Sequence, residues 1–86
     1  MEFSIGDRVR ITDQNHWAKG AIGTVTDPPE LARCVGPGWN EHTRTMMDEG
    51  GEVTMYWVQF DAPQNDPEGD GPYDGSEVDS RHLEKA

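Results

Sequence analysis

The composition of residues 53–60 strongly favours a β-strand. They read Val-Thr-Met-Tyr-Trp-Val-Gln-Phe and lie between a pair of glycines and a proline, so β-branched and aromatic residues are enclosed by residues that end regular structure. Side chains alternate between the two faces of a strand. We therefore predict a central strand with Tyr56, Val58 and Phe60 facing inward and Trp57 facing outward.

Two shorter strands are predicted in the first third of the chain. Residues 7–12 alternate polar and apolar side chains, which places Val9 and Ile11 on one face. Residues 20–26 read Gly-Ala-Ile-Gly-Thr-Val-Thr and supply Ile22 and Val25 as further apolar candidates for the core.

The rest of the chain is predicted to be mostly loop. Two consecutive prolines stop the second strand, and residues 27–52 then show no clear period, which is typical of a long loop. Residues 61–76 are dense in Asp, Gly and Pro and form the second long loop. After it, the spacing of five between Val78 and Leu83 predicts a 3₁₀ turn at 79–81 and a short last strand.

Length and composition limit the architecture to one small domain over residues 1–86. A chain of 86 residues sustains a single core, because it buries only about 60–65 % of its unfolded surface. Only 33 % of the residues are hydrophobic, while 10 are Gly and 6 are Pro. This balance favours an all-β fold with short strands and long loops.

Four pieces of the chain together resemble the SH3-like small barrels of prokaryotes. They are Ile-Gly-Asp-Arg-Val-Arg-Ile at 5–11, Gly-Ala-Ile-Gly-Thr-Val at 20–25, Tyr-Trp-Val-Gln-Phe-Asp at 56–61 and Ser-Arg-His-Leu-Glu at 80–84. By pattern, the relatives include KOW-type domains and small accessory subunits linked to photosystem I and ferredoxin. The resemblance implies a five-stranded barrel whose loops cluster on one side and bind peptides, proteins or nucleic acid; the fold does not choose among these partners.

The charge of the chain narrows that choice. Seven Lys and Arg against 17 Asp and Glu give a formal net charge of −10 at pH 7. A surface of this sign repels phosphate backbones, so a KOW-like nucleic-acid-binding role is disfavoured. The same charge favours basic proteins or cations as partners.

The chain has no feature of a secreted or membrane protein. Its single cysteine, Cys34, cannot form an internal disulfide, and the N-terminus lacks the basic and apolar stretches of a signal peptide. No apolar run approaches the roughly 20 residues that cross a bilayer. We expect a cytoplasmic protein that does not interact with membranes.

Residues 66–77 resemble a calcium-binding loop in the spacing of their acids. Acidic residues occupy positions 1, 3, 5, 9 and 12 of a 12-residue loop and a glycine occupies position 6, close to the pattern of oxygen donors that calcium prefers. The alternative is a solvated acidic turn that closes a hairpin. The candidate calcium ligands are Asp66, Glu68, Asp70, Asp74 and Glu77; no other cofactor is expected.

Three tryptophans form the second candidate site. Trp17, Trp39 and Trp57 are predicted to bind a protein partner, because indole rings anchor protein interfaces and nearby acids such as Asp70 and Asp74 attract Lys or Arg. The alternative is that one or more of them completes a small core.

No activated nucleophile or acid–base pair is recognisable, so an enzyme is not expected. The sequence favours an acidic accessory module that binds a protein, with calcium binding and KOW-like nucleic-acid binding as alternatives.

Overall fold

The computed structural model describes residues 2–86, which form an antiparallel β-structure with one short helix. The all-β prediction is confirmed, and the predicted 3₁₀ turn is found one residue later, at Ser80–His82. The elements in chain order are β1 (Arg8–Ile11), β2 (Ile22–Thr26), α1 (Glu30–Val35), β3 (Trp39–Asn40), β4 (Thr43–Asp48), β5 (Gly51–Gln64), β6 (Tyr73–Asp79), the 3₁₀ turn and β7 (Leu83–Lys85).

Strand β5 is the centre of the sheet, as residues 53–60 predict. The strand order is β3-β4-β5-β2-β1-β7, and β6 also pairs with β5. Trp57 of β5 is opposite Thr26 of β2 on one side and Glu77 of β6 on the other. Because β4 pairs with residues 51–56 of β5 and β2 with residues 57–60, β4 and β2 follow each other along one edge of β5.

The number of strands differs from the predicted five, because the two predicted long loops are partly ordered. Within the described residues the sheet has seven strands, and its pairings leave it open. Residues 27–52, predicted as a loop, contain α1, β3 and β4; β4 provides the hydrogen-bonding partner that the first half of the long β5 needs. The predicted loop 61–76 shrinks to 65–72, since β5 continues to Gln64, which is opposite Tyr73.

The core is formed by alternate side chains of the strands. Val9, Ile11, Val25, Val58 and Val78 are almost fully buried, and the inward positions of Tyr56 and Phe60 are confirmed. These side chains exclude water from the centre of the fold, which is the main favourable contribution to its stability.

The predicted inward position of Ile22 is wrong. The inward face of β2 carries Gly23 and Val25, so alternation places Ile22 on the other face, where it is half-buried. Gly23 has a reason to be glycine: a Cβ there would overlap the carbonyl oxygen of Gln59 on β5. The two backbones therefore approach each other more closely than any side chain at this position would allow.

Helix α1 contributes no side chain to the core. Its six residues include none that is buried. The helix is followed by the hairpin β3–β4, and the Arg33 guanidinium donates to the carbonyl oxygen of Glu41 in that hairpin. No helix in residues 2–86 has the length and apolarity needed to cross a membrane.

Candidate functional site

The three tryptophans lie in one groove. Trp17 comes from the loop between β1 and β2, Trp39 from β3 and Trp57 from β5, and the ring of Tyr73 at the start of β6 joins them. The groove has a volume of about 950 Å³ and is partly open to solvent. The fold thus brings together the aromatic set that the sequence singled out, from segments up to 40 residues apart.

Trp17 belongs both to the core and to the groove. Its ring meets Phe60 of the core edge-on at a centroid distance of 5.8 Å and an interplanar angle of 83°. It meets Tyr73 of the groove at 5.5 Å and 69°. His16 stacks on it at 5.6 Å and 26°. Trp17 therefore packs against the core, which is one of the two interpretations that the sequence left open, and it also lines the groove.

His16 is neutral where it stacks on Trp17. Partial burial lowers the pKa of the imidazole below its usual value of 6.5, and the nearby charge of Asp13 opposes the shift without reversing it. The ring nitrogen Nδ1 accepts the backbone N–H of Ala18 at 3.0 Å, which requires that nitrogen to be unprotonated. Trp17 is thus supported by an uncharged ring at neutral pH.

Trp57 lies on the outward face of β5, as predicted, and its indole packs on the backbone of β6. A Cβ at Gly75 would lie 2.8 Å from the indole Nε1 and 2.7 Å from the carbonyl oxygen of Val58. A side chain at this position would therefore collide with the indole of Trp57 and with the backbone of β5.

Helix α1 forms one wall of the groove with two exposed aliphatic side chains. Leu31 and Val35 are four residues apart and so share one side of the helix. They are 74 % and 78 % exposed, more than any other large apolar side chains in the described chain except Met47. These two side chains give this part of the groove an exposed apolar surface.

Arg44 of β4 connects the three elements around the groove. Its Nη1 lies 2.9 Å from Oε2 of Glu77 on β6, and the two side chains are only 18 % and 34 % exposed. The guanidinium also lies so close to Gly36, at the end of α1, that a Cβ on that residue would overlap it. This half-buried ion pair fixes the hairpin and the helix against the central sheet.

The turn between β5 and β6 also lines the groove, with Asp66, Pro67 and Glu68. The Oδ1 of Asp66 accepts the backbone N–H groups of Glu68 and Asp70, each at 2.9 Å. A carboxylate used in this way shapes the turn, as in the solvated-turn interpretation of residues 66–77. The turn thus places Asp66 and Glu68 in the lining of the groove, and we call these two acids the rim.

The five predicted calcium ligands do not converge. Asp66 is bonded within its own turn, Glu77 is paired with Arg44, and Asp70 and Asp74 are exposed. Across residues 2–86 no three His, Cys, Asp or Glu side chains are arranged to hold a metal ion. Asp70 and Asp74, which the sequence assigns to partner binding, also lie outside the groove lining; the acids that line it are Asp66, Glu68 and Glu77.

Most basic side chains of the protein are already paired with acids. Among the described residues, five of the seven Lys and Arg side chains form ion pairs, while Asp66 and Glu68 take part in none. The paired residues are Arg8, Arg10, Arg44, Arg81 and Lys85. The rim of the groove therefore keeps its negative charge.

Four residues of the groove are not identifiable from the sequence as parts of a site. Tyr73 lies within the acidic pattern, and Leu31 and Val35 lie in a segment without a clear period, although their spacing of four is a helical signal. Arg44 has no neighbouring sequence pattern that points to a role in a site.

Comparison of the chain with protein-family models, with curated proteins and with solved structures found no match.

Proposed function

We propose that the protein is a binding module whose aromatic groove holds a basic segment of a partner protein. The observation that carries the proposal is the convergence of Trp17, Trp39, Trp57 and Tyr73 in one open groove with carboxylates at its rim. Trp and Tyr supply large contact areas at low entropic cost and dominate the energetics of protein interfaces. A surface of this kind binds by burial and needs no chemical step.

The shape of the groove supports a chain segment as its occupant. Its volume of about 950 Å³ is at the upper end of the range for ligand sites. Its lining is mixed in chemistry, because Leu31 and Val35 are aliphatic whereas Asp66 and Glu68 are acidic. A segment that carries both apolar side chains and a basic side chain complements this lining.

Charge favours a basic protein over the two other macromolecular occupants. A second copy of this chain would bring two molecules of net charge −10 together. A nucleic acid would place phosphates against the acids of the rim, which is unfavourable for the same reason. A basic segment gains attraction from the rim and from the net charge of the whole module.

The proposal includes an SH3-like origin for the groove. The strands β7, β1, β2, β5 and β6 are adjacent in that order, and a 3₁₀ turn precedes the last strand, in keeping with the resemblance drawn from the sequence. In this view α1 and the hairpin β3–β4 are an insertion between β2 and β5. Three connections line the groove together: the loop that carries Trp17, this insertion and the turn at 65–72.

We also propose that the module is cytoplasmic, because the exposed free thiol of Cys34 is typical of proteins in a reducing compartment.

Selection from a random peptide library tests the proposal. We expect the immobilised protein to enrich peptides with a net positive charge, and Leu31→Ser to weaken their binding because it removes apolar surface from the groove wall. Met47→Ser is the matched control, since Met47 is also 74 % exposed and lies outside the groove. Neither side chain is buried, so both variants should fold.

Two results would overturn the proposal. One is a selected set of peptides that binds Leu31→Ser as tightly as the original protein. The other is a set with no excess of Lys and Arg over the starting library. Either would show that this groove is not the binding surface for a basic segment.

A further inference from the structure

We infer that the corner between the rings of Trp17 and Tyr73 is a subsite for an arginine side chain of the partner segment. This inference rests on the proposed function and specifies which chemical group the acidic side of the groove recognises. Arginine is distinguished from other basic residues by a planar guanidinium that stacks on aromatic rings while its N–H groups donate to carboxylates.

The two rings form a suitable corner. Their centroids are 5.5 Å apart and their planes meet at 69°, so the rings contact each other edge to face and form an angled surface on which a flat group can lie against an exposed ring face. The position of Trp17 is fixed by Phe60 and His16, whereas Tyr73 is 43 % exposed and so accessible from the groove. A cation over a tryptophan or tyrosine ring is attracted by the negative charge of its face.

The carboxylates lie at the same end of the hairpin as this corner. Tyr73 is directly opposite Gln64 at the end of β5, and the turn that carries Asp66 and Glu68 joins these two residues. The two backbone N–H groups that bind Asp66 both donate to its Oδ1. Its Oδ2 makes no hydrogen bond within the described residues, which leaves it for an incoming donor.

The third acid of the groove does not compete for the cation. Glu77 is held by Arg44 at 2.9 Å and its charge is already balanced. His16, stacked behind Trp17, is neutral at pH 7 and therefore does not repel a positive group. The only uncompensated charges at the groove are those of Asp66 and Glu68, next to the aromatic corner.

Three peptides that differ at one residue test the subsite. The probes are acetyl-Leu-Pro-Xaa-Pro-Leu-amide with arginine, lysine or citrulline at Xaa; the prolines keep the backbone extended and the leucines match the aliphatic wall. Citrulline has the shape of arginine without its charge. Binding is measured from the indole ¹⁵N–¹H resonances of the protein during titration. We expect the arginine peptide to bind roughly tenfold more tightly than the citrulline peptide and severalfold more tightly than the lysine peptide.

A pair of charge variants assigns the effect to the correct acids. Asp66→Asn combined with Glu68→Gln removes two charges, and the new Asn side-chain oxygen can still accept the N–H groups of the turn. Asp70→Asn combined with Asp74→Asn removes two charges from the same turn and the start of β6, at residues outside the groove lining. We expect the first pair to reduce the preference for arginine over citrulline to about twofold and leave citrulline binding unchanged. The second pair should keep most of the preference.

The outcomes separate this inference from the proposed function. Three results would overturn the subsite. The first is equal binding of the arginine and citrulline peptides, and the second is binding of the lysine peptide as tightly as the arginine peptide. The third is the absence of a saturable change in the indole resonances with the arginine peptide at millimolar concentration. Any of these results leaves the groove as the binding surface if library peptides still depend on Leu31. Equal loss of the arginine preference in both charge variants would also overturn the arginine subsite. The attraction would then come from the net charge of this region and not from Asp66 and Glu68.

Discussion

Replacing Arg44 by Met should destabilise the protein by about 1.5–2 kcal/mol. Removing one partner of a fully buried ion pair costs about 3–5 kcal/mol, whereas an exposed pair is worth about 1 kcal/mol or less. The pair of Arg44 and Glu77 lies between these limits, because the side chains are 18 % and 34 % exposed. For a domain of this size the expected fall in Tm is roughly 6–16 °C. Urea unfolding followed by tryptophan fluorescence gives the free energy directly.

Two further variants make the reasoning refutable. Arg10→Met breaks an exposed pair with Glu84, in which the side chains are 45 % and 51 % exposed, and should cost only about 0.5 kcal/mol. Adding Glu77→Gln to Arg44→Met should restore about 1 kcal/mol, because the carboxylate left without its partner is then removed. The reasoning is refuted if Arg44→Met costs no more than Arg10→Met, or if the second substitution destabilises the protein further.

Three other substitutions probe the fold and its dependence on pH. Gly23→Ala should cost about 3 kcal/mol in urea unfolding, because its Cβ overlaps the carbonyl oxygen of Gln59; an unchanged midpoint would contradict the close approach of β2 and β5. His16 has a lowered pKa, so its protonation opposes folding, and stability should fall as the pH drops below about 6.5; His16→Asn should lessen this fall between about pH 8 and pH 5. Hydrogen bonds from Arg81 lower the pKa of Asp79 from 3.8, so their stabilisation is present above that pH and is lost as the pH falls through the lower folded-state value. Arg81→Met should therefore flatten the acid side of the stability profile; an unaltered profile would contradict this.

Alternation of side chains was sufficient to predict the central sheet. Residues 7–12 have one apolar face, which the structure buries. In residues 53–60 the predicted inward side chains Tyr56, Val58 and Phe60 are buried, and Val53 on the other face is buried as well. The same rule fails for β4, where no side chain is buried and the pattern carries no period. Its six residues form a strand because β5 offers hydrogen-bonding groups opposite them, and such pairing between distant segments is not encoded in β4 alone.

The candidate site was predictable in its aromatic part and less so in its charged part. Trp17, Trp39 and Trp57 could be singled out because indole rings are frequent anchors of protein interfaces. The acids could not be separated in the same way, since residues 66–77 carry carboxylates at many positions and the turn decides which of them face the groove. Asp66 and Glu68 line it, whereas Asp70 and Asp74 do not. The geometry of a turn depends on backbone angles that a pattern of charges does not specify.

The convergence of three tryptophans on one bound segment can be measured directly. Each tryptophan contributes one indole N–H resonance, and titration with a basic peptide selected from the library should move all three in a single saturable process with one Kd. Met47→Ser should leave that process unchanged, because Met47 lies outside the groove. The account is contradicted if the peptide binds tightly while the indole chemical shifts of Trp17, Trp39 and Trp57 stay unchanged. The binding surface would then lie elsewhere on the molecule.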